Sequence, residues 1–390
     1  MPETQPIPPV ANPLRDLHEQ AEAEFQSYGG IEIVSTFGEP QAEYAAIRKS
    51  AALLDLPQRG LLELAGKDRL SFLNGLLTNQ TFDKTTKTGM PAGSGVYAFL
   101  LNAKSGRIIT DLNVLELGER TLLEMDARLI GAVRAALDKY LFSEQVTMVE
   151  QGGILHEIAL YGPGAVEILN GAGSPTPPQA SLAVSQTELF GIPTIIWRDD
   201  PAGVPGYHLI IPTKSARAVW MNLLSQFGKS NETGKRALRP AGWAAFNATR
   251  IEAGRPIFGI DFDETILPAE TGQLARAVSF TKGCYPGQEI VARMHARQQV
   301  AKQLVGLKFA DDALPLAGAA MLDDQSNQVG GITSSTISPV LSNAAIALAL
   351  VKKQFIPLGT VVNVPAEGAL RRAVVTELPF IKPALEGDSR

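Results

Sequence analysis

The chain of 390 residues contains one cysteine and four histidines, and aromatic residues make up only 6% of it. The single cysteine, Cys284, excludes an internal disulfide, and one thiol cannot by itself build a zinc or iron-sulfur site. His18, His156, His208 and His295 show no metal-ligand spacing, so each reads as a surface or packed residue and no metal is expected. Long apolar runs are missing as well: the longest, residues 344–351, is far short of the roughly 20 residues that a membrane-spanning helix needs. Residues 1–13 hold five prolines and no charged-then-apolar signal pattern. A tail over residues 1–24, no membrane partner and cytoplasmic residence are therefore the expectations. The net charge of −5 disfavours indiscriminate nucleic-acid binding, because counterion release needs a concentrated basic surface.

What is present is 45% hydrophobic residues, enough for two or three domain cores. Two segments copy each other. Residues 62–75 (L-E-L-A-G-K-D-R-L-S-F-L-N-G) and 158–171 (I-A-L-Y-G-P-G-A-V-E-I-L-N-G) each read as a short strand, a glycine turn and a helix ending at Asn-Gly. Residues 121–142 and 207–227 form a second such pair. Two related α+β units, each carrying helices on an antiparallel sheet, are the economical reading for residues 25–300. After residue 301, short β-rich runs at 303–309, 346–352, 361–365 and 373–377 alternate with turns, as expected for an antiparallel barrel over residues 301–390.

Three segments carry chemistry. Residues 97–114 (Y-A-F-L-L-N-A-K-S-G-R-I-I-T-D-L-N-V) form a hairpin pattern whose second strand delivers Asp111, an acid among Ile and Leu, with Tyr97 and Asn113 nearby. Residues 250–272 begin R-I-E-A-G, a helix end with Arg250 in its last turn, and continue through F-G-I-D-F to L-P-A-E. Residues 282–289 read Lys282, Gly283, Cys284, Tyr285, Pro286, Gly287, Gln288, Glu289. Pro286-Gly287 makes a turn and a helix follows, so helix-end amides and Lys282 both favour a thiolate at Cys284. Between residues 274 and 308 stand six basic residues and one acid, which reads either as a solvated helix face or as an anion-facing wall.

The octapeptide resembles the K-G-C-Y-x-G-Q-E signature of the YgfZ family, folate-binding proteins of the aminomethyltransferase (glycine cleavage T-protein) superfamily that serve iron-sulfur proteins. The hairpin and the R-x-E-A-G segment are similar to superfamily patterns, as is G-G-I-T-S-S-T-I-S-P at residues 330–339. The resemblance implies a ring of three domains: two duplicated α/β units around a central folate site, closed by a C-terminal antiparallel β-barrel. It implies tetrahydrofolate or a one-carbon derivative as cofactor, with Tyr97, Asp111, Asn113 and Arg250 holding the pterin end and the basic run meeting the glutamate tail. Cys284 and Asp111 are the implied catalytic residues, and iron-sulfur client or assembly proteins the implied partners. The transferases' G-Y-T-G-E-D-G turn is replaced here by residues 201–206, without its glutamate, and Phe246 stands where they carry an arginine. The leading expectation is accordingly an accessory factor for iron-sulfur protein assembly or repair without aminomethyl transfer. The alternatives are a folate-dependent aminomethyltransferase or demethylase, and an RNA-binding module, the last opposed by the scarcity of aromatic stacking platforms.

Overall fold

Along the strand Ile108–Glu116, Leu112 and Val114 face one way while Asp111, Asn113 and Leu115 face the other, the two-residue alternation of a strand with two different neighbours. In the computed structural model, which describes residues 11–231, 234–297 and 300–382, the Leu112 face lies under the helices Arg69–Asn74 and Ile130–Asp138. The sheet has five strands in the order Thr147–Glu150, Arg59–Ala65, Arg120–Asp126, Ile108–Glu116 and Gly95–Leu101, all antiparallel to their neighbours.

A second sheet is built in the same way from six strands: Val184–Leu189, Ile192–Arg198, Gly206–Pro212, Leu155–Tyr161, Ala51–Asp55 and Leu238–Pro240, the last pair parallel. Its outer face, including Ile158, Leu160, Leu209 and Ile211, packs under the helices Ala165–Ala172 and Ala216–Phe227. The latter presents Val219, Trp220 and Leu223 at helical spacing, and each such buried side chain contributes roughly 1.5–3 kcal/mol. The repeated sequence segments thus become equivalent strand-turn-helix units in two sheets. Their inner faces meet, Tyr97, Phe99, Leu115 and Leu122 of the first packing with Ile195, Trp197 and Ile210 of the second. The layers run helix, sheet, sheet, helix.

The expected tail over residues 1–24 is corrected in part. Residues 1–10 lie outside the described residues, but Leu14 and His18 are fully buried and a helix spans Arg15–Gln20. The reason is an acid in the core: His18 Nε2 lies 2.8 Å from one Asp55 oxygen and His156 Nε2 2.7 Å from the other. Burial alone would raise the Asp55 carboxyl, but His156 and His18 hold it well below the usual carboxylate range.

The C-terminal strands close into a six-stranded barrel in the order Lys302–Phe309, Ala344–Lys352, Gln328–Ser338, Ala320–Leu322, Val361–Ala366 and Ala369–Thr376. Leu307, Met321, Ile332, Ala347, Val362 and Val375 fill it. The helix Trp243–Glu252 docks it to the rest: Ile251 packs on Leu304, Ile346 and Leu348, and the buried Arg250 Nη1 pairs with Asp261 at 2.6 Å while Nη2 donates to Ser334 of the barrel at 2.7 Å. Glu252, fully buried, accepts from Tyr44, Arg48 and the barrel's Ser338. No helix among the described residues is long and apolar enough to cross a membrane. Because removing one member of a buried ion pair leaves the other uncompensated, Arg250→Met is expected to lower stability by about 3–5 kcal/mol, measured by urea unfolding.

Candidate functional site

The two inner faces do not close completely, and the cavity between them is walled by the polar residues of the central strands. Asn113 lies opposite Tyr97 on one neighbouring strand and opposite Glu124 on the other, and Asp111 follows two residues along on the same face. Tyr97 Oη donates to Asp111 Oδ2 at 2.9 Å, and Asn113 Nδ2 donates to Glu124 Oε2 at 2.7 Å. Arg59 Nε pairs with the other oxygen of Glu124. Burial pushes the Asp111 carboxyl up, against the opposing charge of Arg59. Burial and the neighbouring Asp111 charge push the Tyr97 hydroxyl well up, so it remains a donor.

The facing wall comes from the second sheet and the loops beside it. Trp197 stacks on His208 with ring centroids 4.1 Å apart, and Tyr161 stacks on Phe246 at 5.4 Å. Asp199 receives Arg255 Nη2 at 2.6 Å and Arg276 Nη2 at 3.1 Å. Burial would raise Asp199, but Arg255 and Arg276 hold it well below the usual range. The Arg276 guanidinium also lies 4.1 Å from the Tyr97 ring centroid, a cation–π contact that joins the two walls. Three buried polar atoms of lining residues have no partner among the described residues: Asn113 Oδ1, Gln58 Oε1 and Trp197 Nε1. Buried polar groups are otherwise nearly always paired, so two acceptors and one donor are left for a ligand or for water.

Of the residues singled out in the sequence, the cavity brings together Tyr97, Asp111, Asn113 and Arg250. The guanidinium of Arg250 is nonetheless largely taken, by Asn247, the Arg255 carbonyl, Asp261 and Ser334. The basic run does not form one wall: Arg276 reaches the cavity, Lys282 is buried elsewhere, and Arg293, Arg297 and Lys308 are exposed.

Cys284 is exposed and outside the cavity lining, displayed by a loop held from beneath. Lys282 Nζ donates to the Asn74 carbonyl at 2.6 Å and to that of Leu77, and lies 4.8 Å from the ring centroid of the buried Tyr285. Burial, with the charge of Lys84 acting in the same direction, lowers Lys282 to about 7. Gly287 has φ +82°, and a Cβ there would come within 3.1 Å of the Gly106 Cα and 3.3 Å of the Asn102 carbonyl, so only glycine lets this turn lie against the tip of the Asp111 hairpin. Gly283 packs equally close to the Lys84 side chain; Gln288 opens the helix Gln288–Arg297, with Glu289 exposed in its first turn.

Residues 14–282 match the GCVT N-terminal domain, and residues 302–382 match the glycine cleavage T-protein C-terminal barrel domain. The chain belongs to the glycine cleavage T-protein family. It is 30% identical over 374 residues to an aminomethyltransferase of Moorella thermoacetica, covering 95% of this chain and 97% of the relative. A second, from Cutibacterium acnes, is 28% identical over 390 residues, covering 95% and 98%. Among solved structures, the glycine cleavage system aminomethyltransferase T from Bartonella henselae is similar with a TM-score of 0.83 and 25% identity, over 95% of this chain and 98% of that one. The expected fold, two α/β units with a C-terminal barrel, is the one present.

The family pattern places a glutamate in the turn 201–206. That turn lacks one, but Asp199 stands just before it and lines the cavity. Arg59, Glu124, Trp197 and Arg255 were likewise unmarked, because alternation tells which face of a strand a residue occupies and not what lies across from that face. The depressed value of Lys282 yields a pH test. The stability it contributes is complete above a lysine's ordinary 10.5 and is lost as pH falls to about 7. In urea unfolding, the stability of the wild type relative to Lys282→Met should therefore rise between pH 7 and pH 10, by on the order of 3 kcal/mol.

Proposed function

We propose that this chain binds a tetrahydrofolate derivative between its two sheets, with the pterin end against Asp111, and that it acts as a folate-dependent transferase. The observation that carries this is the cavity wall itself: a carboxylate with one oxygen taken by Tyr97, beside the unpartnered Asn113 Oδ1, Gln58 Oε1 and Trp197 Nε1. A reduced pterin presents ring N–H groups, an exocyclic amino group and a carbonyl, which suit two neutral acceptors, a carboxylate and an indole donor. Tetrahydrofolate is what aminomethyltransferases of this family use, and the full-length relatives named above are aminomethyltransferases. When bound, the folate supplies the nitrogen atoms that carry the one-carbon unit. The protein's own part is to orient the pterin edge on Asp111 and Asn113, exclude water with Trp197, Tyr161 and Phe246, and hold a proton near the ligand on Asp111, whose raised value suits it to general acid-base work. Arg255 and Arg276 keep donors beyond those bonded to Asp199, and these suit the ligand's carboxylates.

A second reading, an accessory role for iron-sulfur proteins of the YgfZ kind, is favoured by one feature outside the cavity. The loop that displays Cys284 is built with a buried lysine beneath it and a glycine against the Asp111 hairpin. The two readings share the folate site and differ in what the thiol does.

Asp111→Ala should weaken tetrahydrofolate binding roughly 10- to 100-fold by calorimetry, the worth of about 1.5–3 kcal/mol for hydrogen bonds to a charged group. Ring N–H groups bond best to the ionised carboxylate. Wild-type affinity should accordingly fall as pH drops through a value above the ordinary 3.8 of an aspartic acid, and Asp111→Asn should lose that dependence. Turnover of glycine-cleavage intermediates with a lipoyl carrier protein separates the two readings. Activity that survives Cys284→Ala supports the transferase, whereas failure of Cys284→Ala to restore iron-sulfur enzyme activity in a deletion strain, with no turnover by wild type, supports the accessory role.

A further inference from the structure

The register of the second sheet sets His208 opposite Ala159, with Glu157 and Tyr161 two residues to either side on the same face. The small alanine leaves the imidazole room to reach both. His208 Nδ1 lies 2.7 Å from Glu157 Oε1, and Nε2 lies 3.1 Å from Tyr161 Oη. From the next strand Trp197, itself opposite His208, stacks on the ring and fixes its plane. His208 and Tyr161 line the cavity, and Glu157 stands behind them with Oε2 buried and without a partner among the described residues. Among the described residues, His208 is the one hydrogen-bond partner of Tyr161 Oη, so this hydroxyl of a lining residue keeps hydrogen-bonding capacity unused.

We infer that Tyr161 is a ligand-contacting hydroxyl whose sense toward the cavity is set by the Glu157–His208 pair. With a neutral imidazole, Nδ1–H donates to Glu157, Nε2 accepts the phenol proton, and Oη offers only lone pairs to a ligand. When the imidazole takes one proton from solvent, Nε2–H donates to Oη and the phenol proton turns toward the cavity. The wall facing Asp111 therefore presents an acceptor in one charge state and a donor in the other. It favours an N–H edge of the ligand in the first state and a carbonyl edge in the second. The inference rests on the folate reading and makes it more specific, since a pterin carries both kinds of edge. The charged and titratable groups facing His208 are Glu157 and Tyr161 on the adjacent strand and Asp199 from the loop after Ile192–Arg198, with Glu124 and Arg59 of the first sheet behind Glu157. Tyr161 itself stays protonated throughout, because burial and these carboxylates push its hydroxyl well up.

The test measures tetrahydrofolate affinity of wild type, Tyr161→Phe and Glu157→Gln as a function of pH. NMR of ring-labelled histidine in the same samples follows His208. Wild-type affinity should show a step coincident with the His208 titration. Tyr161→Phe should lose that step, bind about 5- to 10-fold more weakly on its favourable side, and retain the separate dependence due to Asp111. Glu157→Gln should move the titration and the step together, and it keeps the test decisive if the phenylalanine variant does not fold. A step that persists in Tyr161→Phe, or a titration moved by Glu157→Gln without the step, overturns the inference alone. Absence of tetrahydrofolate binding by wild type overturns the folate reading together with it.

Discussion

Arg59 is the cation on which the meeting of the two sheets depends. It pairs with Glu124 of its own sheet, and its charge also reaches Asp111 on that side and Glu157 on the other. Burial works against its charge, yet the surrounding carboxylates hold it firmly ionised. Three acids on two facing sheets would repel one another where burial weakens solvent screening. A guanidinium with several fixed donors lets them share a small space. The polar patch at the centre of an otherwise apolar contact is thereby stable enough to be a cavity wall.

The same arrangement recurs further along the cavity, where Asp199 gathers Arg255 and Arg276 from segments that approach from different directions. Arg250 with Asp261, and Glu252 with Tyr44 and Arg48, carry it to the barrel. Each cluster joins elements remote in sequence, and each consists of groups that are costly to bury alone. Removing one member leaves its partners uncompensated, so these networks constrain geometry more tightly than apolar contact of similar area does. The barrel contributes Ser334 and Ser338 to this scheme, in addition to an apolar seam through Leu304, Ile346 and Leu348.

Much of this was legible in the chain itself. The hairpin of residues 97–114, the duplicated strand-turn-helix segments and four barrel strands follow from two-residue and helical periodicities with glycine turns between them. The strand Gln328–Ser338 did not announce itself as a whole, because G-G-I-T-S-S-T-I-S is rich in small polar residues whose hydroxyls are used at the interface with the body. Asp111 was recognisable as an acid in an apolar strand. Its surroundings were not: Arg59 and Glu124 are 65 residues apart, and Asp199 and Arg255 are 56 apart, with no local pattern linking them. His208 read as a packed residue, and it is one, but packing against Trp197 inside a cavity has a different meaning from packing in a core. The burial of Leu14 was obscured by the prolines before it in sequence.

The contact between Gly287 and Gly106 places a limit on how this protein can vary. The hairpin that carries Asp111 touches the cysteine loop at its tip, Gly287 lying against the backbone of Gly106 and Asn102 while the Ile290 side chain covers Gly106 from the following helix. One residue inserted in that hairpin would lift the loop, and one removed would open a gap beneath it. Loops between strands are ordinarily where related proteins differ most in length. Here the turn acts as a spacer, so the placement of an exposed thiol is coupled through one hairpin to that of an interior carboxylate.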